Sequence, residues 1–353
     1  ESTGNGVGAS VISQVSPKTG GIYLMIDFLK SPTVILVGRL FLLGEFMAIT
    51  YDGTRNDITF CTMLFKMPAQ RDLDSLKHMT RKFEDFYLPS LEKFIRTFRR
   101  VALWCDVQTA EFIKSRGLDT DIMMRVMDFS DLPHYTERDN WLKLLNNMRG
   151  KTGYLLHHKT PEQWIDYLTL IAAKPSVMDW AAKNDKFNSK YFMWIDAGSL
   201  HPMYAPFWNG WTGHIDAQPT RVRMTIAPTL GKTRPKFVPK FIYNLYRKTR
   251  APIMDATSES LARQSLVDIA MINADYDVPA GSFMMPKKLV HDFYLEFERV
   301  RKIMLRHGLV STEQAVFQAM MKFDTEHMFE LSYIRGYDRL YASIAAKDAD
   351  YLL

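Results

Sequence analysis

Cysteine is scarce: Cys61 and Cys105 are the two in a chain of 353 residues. Two thiols cannot build a disulfide framework, and each falls inside an apolar run, so both are expected as buried free thiols. No Asn-x-Ser/Thr sequon occurs, since Asn188-Ser189-Lys190 lacks the third residue, which argues against a glycosylated secretory chain. There is also no P-loop, no Gly-x-Gly-x-x-Gly after a first strand, no zinc-type Cys/His cluster and no nucleophile elbow. These absences remove P-loop nucleotide hydrolysis, the dinucleotide-binding fingerprint, structural zinc and serine-hydrolase chemistry. No internal repeat is present, and no low-complexity tract beyond the N-terminal residues.

Charge of one sign is not concentrated anywhere. The net charge is +6, and no basic stretch exceeds Lys232–Arg250. A basic balance admits a nucleic acid, a membrane surface or an anionic nucleotide-sugar as partner. One apolar run, Pro32–Thr50, approaches the roughly 20 residues of a membrane span. It carries Arg39 and Glu45 near its middle, each costing about 2.5–3.5 kcal/mol at a bilayer centre, and two glycines. Strands or a buried hairpin are therefore expected there, without a transmembrane anchor. A cytoplasmic enzyme is the simplest expectation, with the Golgi or endoplasmic reticulum lumen as the alternative.

What is present suits a globular α/β chain. Hydrophobic residues make up 47% and charged residues 24%, ordinary for a soluble domain. Residues 1–20, rich in Gly, Ser and Thr, are expected as a loosely held arm, and residues 21–57 as an apolar extension packed on the core. A single catalytic domain should span 58–345, its first half 58–200 and its second 201–345. Ile58–Phe65 reads as a buried strand, Asp74–Arg99 as an amphipathic helix, and Val101–Cys105 as a strand. Gln108–Arg116 reads as a helix stopped by Gly117, and Ile122–Phe129 as a strand. Helices follow over Asp139–Met148 and Glu162–Lys183, the second opened by Thr160-Pro161, and Tyr191–Ile195 is again a strand. This alternation predicts a mostly parallel central sheet with helices on its faces, and ligands at its C-terminal edge. Beyond residue 200, Arg221–Ala227 and Asp268–Asn273 read as strands, Lys287–His307 as a helix closed by Gly308, and Thr312–Phe323 as another.

Asp196 ends the strand Tyr191–Ile195 and is followed by the small pair Ala197-Gly198. A carboxylate at a strand end can hold Mn²⁺ or Mg²⁺ against a diphosphate, the usual device for releasing that leaving group. The bland alternative is an Asp that shapes a turn. Pro206-Phe-Trp208-Asn-Gly-Trp211 lies just beyond, where Trp208 and Trp211 could stack on sugar faces or stitch the loop to the core. Arg221, Arg223, Lys232 and Arg234 could meet phosphates or form a solvated basic face.

The run Tyr167-Leu-Thr-Leu-Ile-Ala-Ala-Lys174-Pro175, with Lys186-Phe-Asn-Ser-Lys-Tyr-Phe-Met-Trp-Ile-Asp196-Ala-Gly198, resembles the HtrL/YibB (WlaTC-type) family of glycosyltransferases. Ala280-Gly281-Ser282-Phe283, a long helix and Ser311-Thr312-Glu313-Gln314 are similar to that family's later blocks. The resemblance covers roughly residues 58–330 and is weak between 200 and 270. It implies a GT-A-like nucleotide-sugar-binding fold and transfer of a sugar from a nucleoside-diphosphate donor, a UDP-sugar first among them, to a hydroxyl of a glycan, protein or other acceptor. It places Asp196 as the first Asp of an Asp-x-Asp metal motif, and makes Lys174, Asp196, Ala197 and Gly198 donor-binding. The second Asp is replaced by Gly198, which puts metal dependence in question.

The resemblance implies Lys174, read as the last turn of its helix, as a contact to the donor diphosphate; a helix C-terminus equally favours a cation there. Glu313 is the candidate catalytic base, facing the anomeric carbon, or else a helix-start acid. Gly281, Ser282, Gln314, Trp208 and Trp211 are the candidate acceptor contacts. His327 is a candidate metal ligand beside Asp196, and Asp275-Tyr276-Asp277 a possible second carboxylate source. The rival expectations are a nucleic-acid-binding protein, a DNA-base glycosyltransferase, or a non-catalytic relative of the fold. Nucleic-acid binding lacks any clustered basic stripe to support it.

Overall fold

In the computed structural model the described residues are 12–15, 22–25, 55–67, 82–148, 161–208, 211, 213–228, 276–322, 327–333 and 340–345. The chain divides into two compact units, Glu1–Ala48 and Ile49–Leu353. In the first, β1 (Ile12–Val15) pairs antiparallel with β2 (Ile22–Met25), so the expected loose arm contains a strand. The apolar run at 32–50 lies outside the described residues. So do the expected strand at 268–273, the start of the helix expected at 74 and the whole basic stretch at 232–250.

The second unit is built on one eight-stranded sheet. Its strands are β3 (Ile58–Leu64), β4 (Val101–Cys105), β5 (Ile122–Val126), β6 (Tyr191–Ile195), β7 (Val222–Pro228), β8 (Tyr276–Asp277), β9 (Ser282–Pro286) and β10 (Phe329–Tyr333). They lie in the order β10-β7-β9-β6-β3-β4-β5, with β8 paired to β7. The pairs β3–β4, β4–β5, β3–β6 and β7–β10 are parallel, and β9 runs opposite between β6 and β7. The mostly parallel, helix-flanked sheet expected of a GT-A-like fold is therefore present, with β9 and the two-residue β8 reversed. Every residue of β3 and β4 is buried, as a central parallel strand covered on both faces requires.

Helices cover both faces. On one side α1 (Leu88–Phe98) buries Leu91, Phe94, Ile95 and Phe98 against Phe60, Val101 and Leu103, with Phe60 and Phe98 stacked 4.3 Å apart. A short π-turn, Phe83–Tyr87, leads into it. Burying each such large side chain contributes about 1.5–3 kcal/mol. α2 (Val107–Ser115) is capped by Asp106, whose Oδ1 accepts from Thr109 N at 2.8 Å, and ends at Gly117 with φ +63°. α3 (Arg138–Met148) and α4 (Pro161–Ala172) pack against each other around Trp141, Leu145, Ile165 and Leu168. On the other side lie α5 (Lys174–Lys183), α6 (Lys287–Arg306) and α7 (Glu313–Lys322), over Trp194, Phe283, Phe293 and Phe317. α8 (Leu340–Ala345) closes the α1 side.

The stretch expected as one helix, Glu162–Lys183, is two. Pro175 has no N–H and its ring would collide with the Ile171 carbonyl, so the helix stops at Ala172, tightens through Ala173 N to Leu170 O (3.0 Å), and restarts at Lys174. Lys174 thus opens a helix instead of ending one. Cys61 and Cys105 are buried free thiols, as expected; burial pushes both up, Cys105 to about 12. No helix among the described residues is long and apolar enough to cross a membrane.

Candidate functional site

The parallel strands bring the C-terminal ends of β3, β4, β5, β6, β7 and β10 to one edge, and the reversed β9 brings its beginning there. Ile195 pairs with Ser282, and the Asp196 N–H donates to Gly281 O at 3.0 Å. From β3 the chain steps outward through β4 to β5 and then crosses back to β6 on the other side of β3. The crevice between β3 and β6 is therefore the switch point at which open α/β sheets bind ligands.

Asp196 stands at this point with its side chain 43% exposed. Its Oδ1 accepts from Trp194 Nε1 at 2.7 Å, two residues back on the same face of the strand, and from Lys174 Nζ at 2.9 Å. Lys174 is buried. Its other two N–H groups reach Glu313 Oε1 at 2.7 Å and Ala280 O at 2.9 Å, and its ammonium sits over the Trp194 ring. Glu313 is equally buried, at 4% side-chain exposure, and its Oε2 has no hydrogen-bond partner among the described residues. That residue also lines a partly open pocket with Trp141, Arg301, Met304 and Ser311.

Three residues from three elements therefore meet: the end of β6, the first residue of α5 and the first residue of α7. Burial opposes the charge on Lys174, but Asp196 and Glu313 outweigh it and hold its pKa above the usual lysine value. Burial raises the Glu313 carboxyl, helped by Asp196 and opposed by Lys174. Tyr167 and Tyr341 border the cluster; burial lifts both phenols well above the usual value, Glu313 and then Asp196 adding to it at Tyr167, and Asp196 at Tyr341.

Several expected site residues take other roles. Lys174 joins the cluster, but its three donors all rest on protein acceptors, so it holds carboxylates and does not point at a diphosphate. Glu313 is buried and offers little surface for an acceptor hydroxyl to reach. Ala197 is buried, and its carbonyl accepts from Ser90 Oγ at 2.8 Å. Ser282 is buried within the β6–β9 pairing, while Gly281 lies beside Asp196: a Cβ there would stand 3.5 Å from Asp196 Oδ2 and 3.3 Å from the Tyr341 hydroxyl. Gln314 is exposed next to Glu313. Trp208 is buried, stacked 4.4 Å from Tyr341 and donating to Ser199 O, so it stitches the loop to the core and offers no face to a sugar. Trp211 is half-buried, packed 4.9 Å from Trp208 and bonded to His214 O. Arg223 is buried and paired with Glu330 across the β7–β10 ladder, which removes it from phosphate binding.

His327 does not join Asp196. It precedes β10, which runs parallel to β6 by way of β7 and β9, and so lies at the opposite edge of the sheet. Asp277 lies at the Asp196 edge, across from Ala227 of β7; Asp275 lies outside the described residues. Among the described residues no group of three or more His, Cys, Asp or Glu could hold a metal ion. At Gly198, where an Asp-x-Asp motif would place its second carboxylate, a Cβ would lie 3.0 Å from Phe86 Cε1 and 3.2 Å from Tyr87 Cε1. The Phe86 ring is itself stacked on His201 at 3.9 Å. The described residues do not fit a protein-held divalent ion. Tyr167, Tyr341, Phe86 and Tyr87 have no signature in the sequence; only their convergence identifies them.

No family model matches the chain, and no curated protein matches it. Among solved structures the chain is similar to core-mannan synthase A from Aspergillus fumigatus in its Mn/GDP form, at 10% identity and a TM-score of 0.38, covering 93% of this chain and 86% of that one. It is also similar to a 4-diphosphocytidyl-2C-methyl-D-erythritol synthase from Anaerococcus prevotii, at 10% identity and TM-score 0.33, covering 80% and 90%. Mouse xyloside xylosyltransferase 1 matches at 12% identity and TM-score 0.31, covering 78% and 84%.

Proposed function

We propose that this protein is a glycosyltransferase that moves a sugar from a nucleoside-diphosphate donor to a hydroxyl acceptor, with Asp196 as the group that meets the reactants. One observation carries the reading: a half-exposed carboxylate at the switch point of the sheet is held by a buried ammonium that it shares with a second, buried carboxylate. Buried ionic triads add little stability, and well-packed apolar groups often do as well. Perturbed titratable groups gathered at a ligand-binding edge are characteristic of functional sites.

In this mechanism Lys174 and Trp194 fix Asp196 through Oδ1 and leave Oδ2 toward the open edge. The acceptor hydroxyl donates its proton to Oδ2 as its oxygen bonds to the anomeric carbon. The bond from that carbon to the diphosphate oxygen breaks, and the electron pair leaves with the nucleotide. Glu313 acts through Lys174 as a positioning residue. The test is turnover of UDP-, GDP- and CMP-sugars by the intact protein, with nucleotide release and product mass measured. D196N should lose about 10²–10⁴-fold in rate while remaining folded. Failure of every donor both to bind and to turn over would refute the proposal.

A further inference from the structure

We propose that the cation of this edge is Lys174 itself, and that the chain holds no divalent ion at Asp196. The transferase reading is needed for the activity arm of the test below, and not for the binding arm.

Mn²⁺ or Mg²⁺ at such an edge is held by one or two protein carboxylates, with the diphosphate and water completing the shell of about six oxygens that Mg²⁺ takes at about 2.0–2.1 Å. Asp196 has one oxygen to give. Its Oδ1 already accepts from Trp194 Nε1 at 2.7 Å and Lys174 Nζ at 2.9 Å. The second carboxylate of a two-Asp motif is missing, and the room for it is taken: the Phe86 and Tyr87 rings close on Gly198. Of the other ligands the sequence offers, His327 is at the far edge of the sheet. Asp277, at the Asp196 edge, is paired across from Ala227 and forms no metal-holding group of three or more with Asp196 among the described residues.

A positive charge is nevertheless present. The Lys174 ammonium is anchored from three sides by Asp196, Glu313 and Ala280 O, and a second cation on Oδ2 would stand close to it and be repelled. Held this way, the ammonium does the screening of Asp196 that a metal would otherwise do: it offsets the carboxylate's charge, so an anionic donor can approach. The protein was given a resident cation that chelators cannot remove.

Manganese titration followed by electron paramagnetic resonance, on chelator-stripped full-length protein, reads the binding directly. The expected result is the free aqueous Mn²⁺ signal, with any weak residual binding equal in wild type and D196N. A one-to-one site that disappears in D196N overturns the proposal. In parallel, donor turnover should stay within about twofold in excess EDTA; a loss of about tenfold or more, restored by Mn²⁺, also overturns it. Absence of turnover with every donor, with or without metal, counts against the transferase reading alone, and the resonance titration still decides the cation.

Discussion

Replacing Lys174 by methionine keeps the stem of the side chain and removes the ammonium. Three hydrogen bonds disappear, to Asp196 Oδ1, Glu313 Oε1 and Ala280 O. The two carboxylates then face the same gap without a cation between them. At Asp196 the loss is small, because a side chain 43% exposed can turn to water, and such pairs contribute about 0–1 kcal/mol. Glu313 has no such escape at 4% exposure, and removing the partner of a buried charge costs about 3–5 kcal/mol. The whole effect should therefore fall near that range, nearly all of it from Glu313.

The pH dependence follows from the same geometry. Burial raises the Glu313 carboxyl and Lys174 opposes that rise, so without Lys174 it rises further. A raised acid binds more protons in the folded state, so the variant is penalised once pH passes the ordinary glutamate value and recovers as pH falls. In wild type, Lys174 has a raised folded value, so its contribution is complete below the unfolded lysine value and fades only as pH climbs through the folded one. Urea unfolding at about pH 8 and about pH 5 measures both effects: a gap of about 3–5 kcal/mol at the higher pH, narrowing at the lower. Equal stability of K174M and wild type at about pH 8, or a gap that ignores pH, would refute the reasoning.

Gly198→Ala should destabilise by about 1–3 kcal/mol in thermal or urea melts, because its Cβ meets the Phe86 and Tyr87 rings; an unchanged melt would show that the rings give way freely. E313Q keeps the shape and removes the buried charge, so its stability should become less dependent on pH between about pH 5 and about pH 8, which parallel unfolding curves would show. His134 is buried with Nε2 3.1 Å from Glu298 Oε1, and Arg301 bonds both Glu137 and Glu298. Burial works against the His134 charge, but Glu137 and Glu298 raise its pKa overall, so its contribution is present below the ordinary histidine value and is lost as pH rises through the folded one. Burial likewise opposes the charge of Glu298, yet His134 and Arg301 hold it at about 2, so that carboxylate's contribution is lost only as pH falls toward that value. H134F should therefore flatten the stability profile between about pH 5.5 and about pH 8.5, read by urea unfolding at each end.

Asp196 was legible because a run of aromatic and branched residues ending in Asp-Ala-Gly marks the end of a buried strand. The alternation that precedes it also predicts the parallel half of the sheet. Local pattern fails where the answer depends on what arrives from elsewhere. Lys174 is a candidate through the family resemblance and Glu313 as a carboxylate at a helix start, but their contact rests on α5 and α7 beginning at the same point. Pro175 carries the signal for the break before α5, although the apolar spacing runs through it as though one helix continued. Trp208 in a loop-like segment suits a sugar platform equally well, and only the Tyr341 ring lying against it decides for packing. β10 and α8 are short, and their identity comes from the strand and core they cover.

The reversal of β9 has a consequence for how this protein can change. Because that strand enters the sheet at the Asp196 edge, the carbonyls of Ala280 and Gly281, which receive Lys174 and the Asp196 amide, belong to the residues just before it. A change in the segment leading into β9 can thus shift the angle of the Asp196 carboxylate without touching the helix that carries the lysine. Tuning and support are inherited through separate stretches of chain.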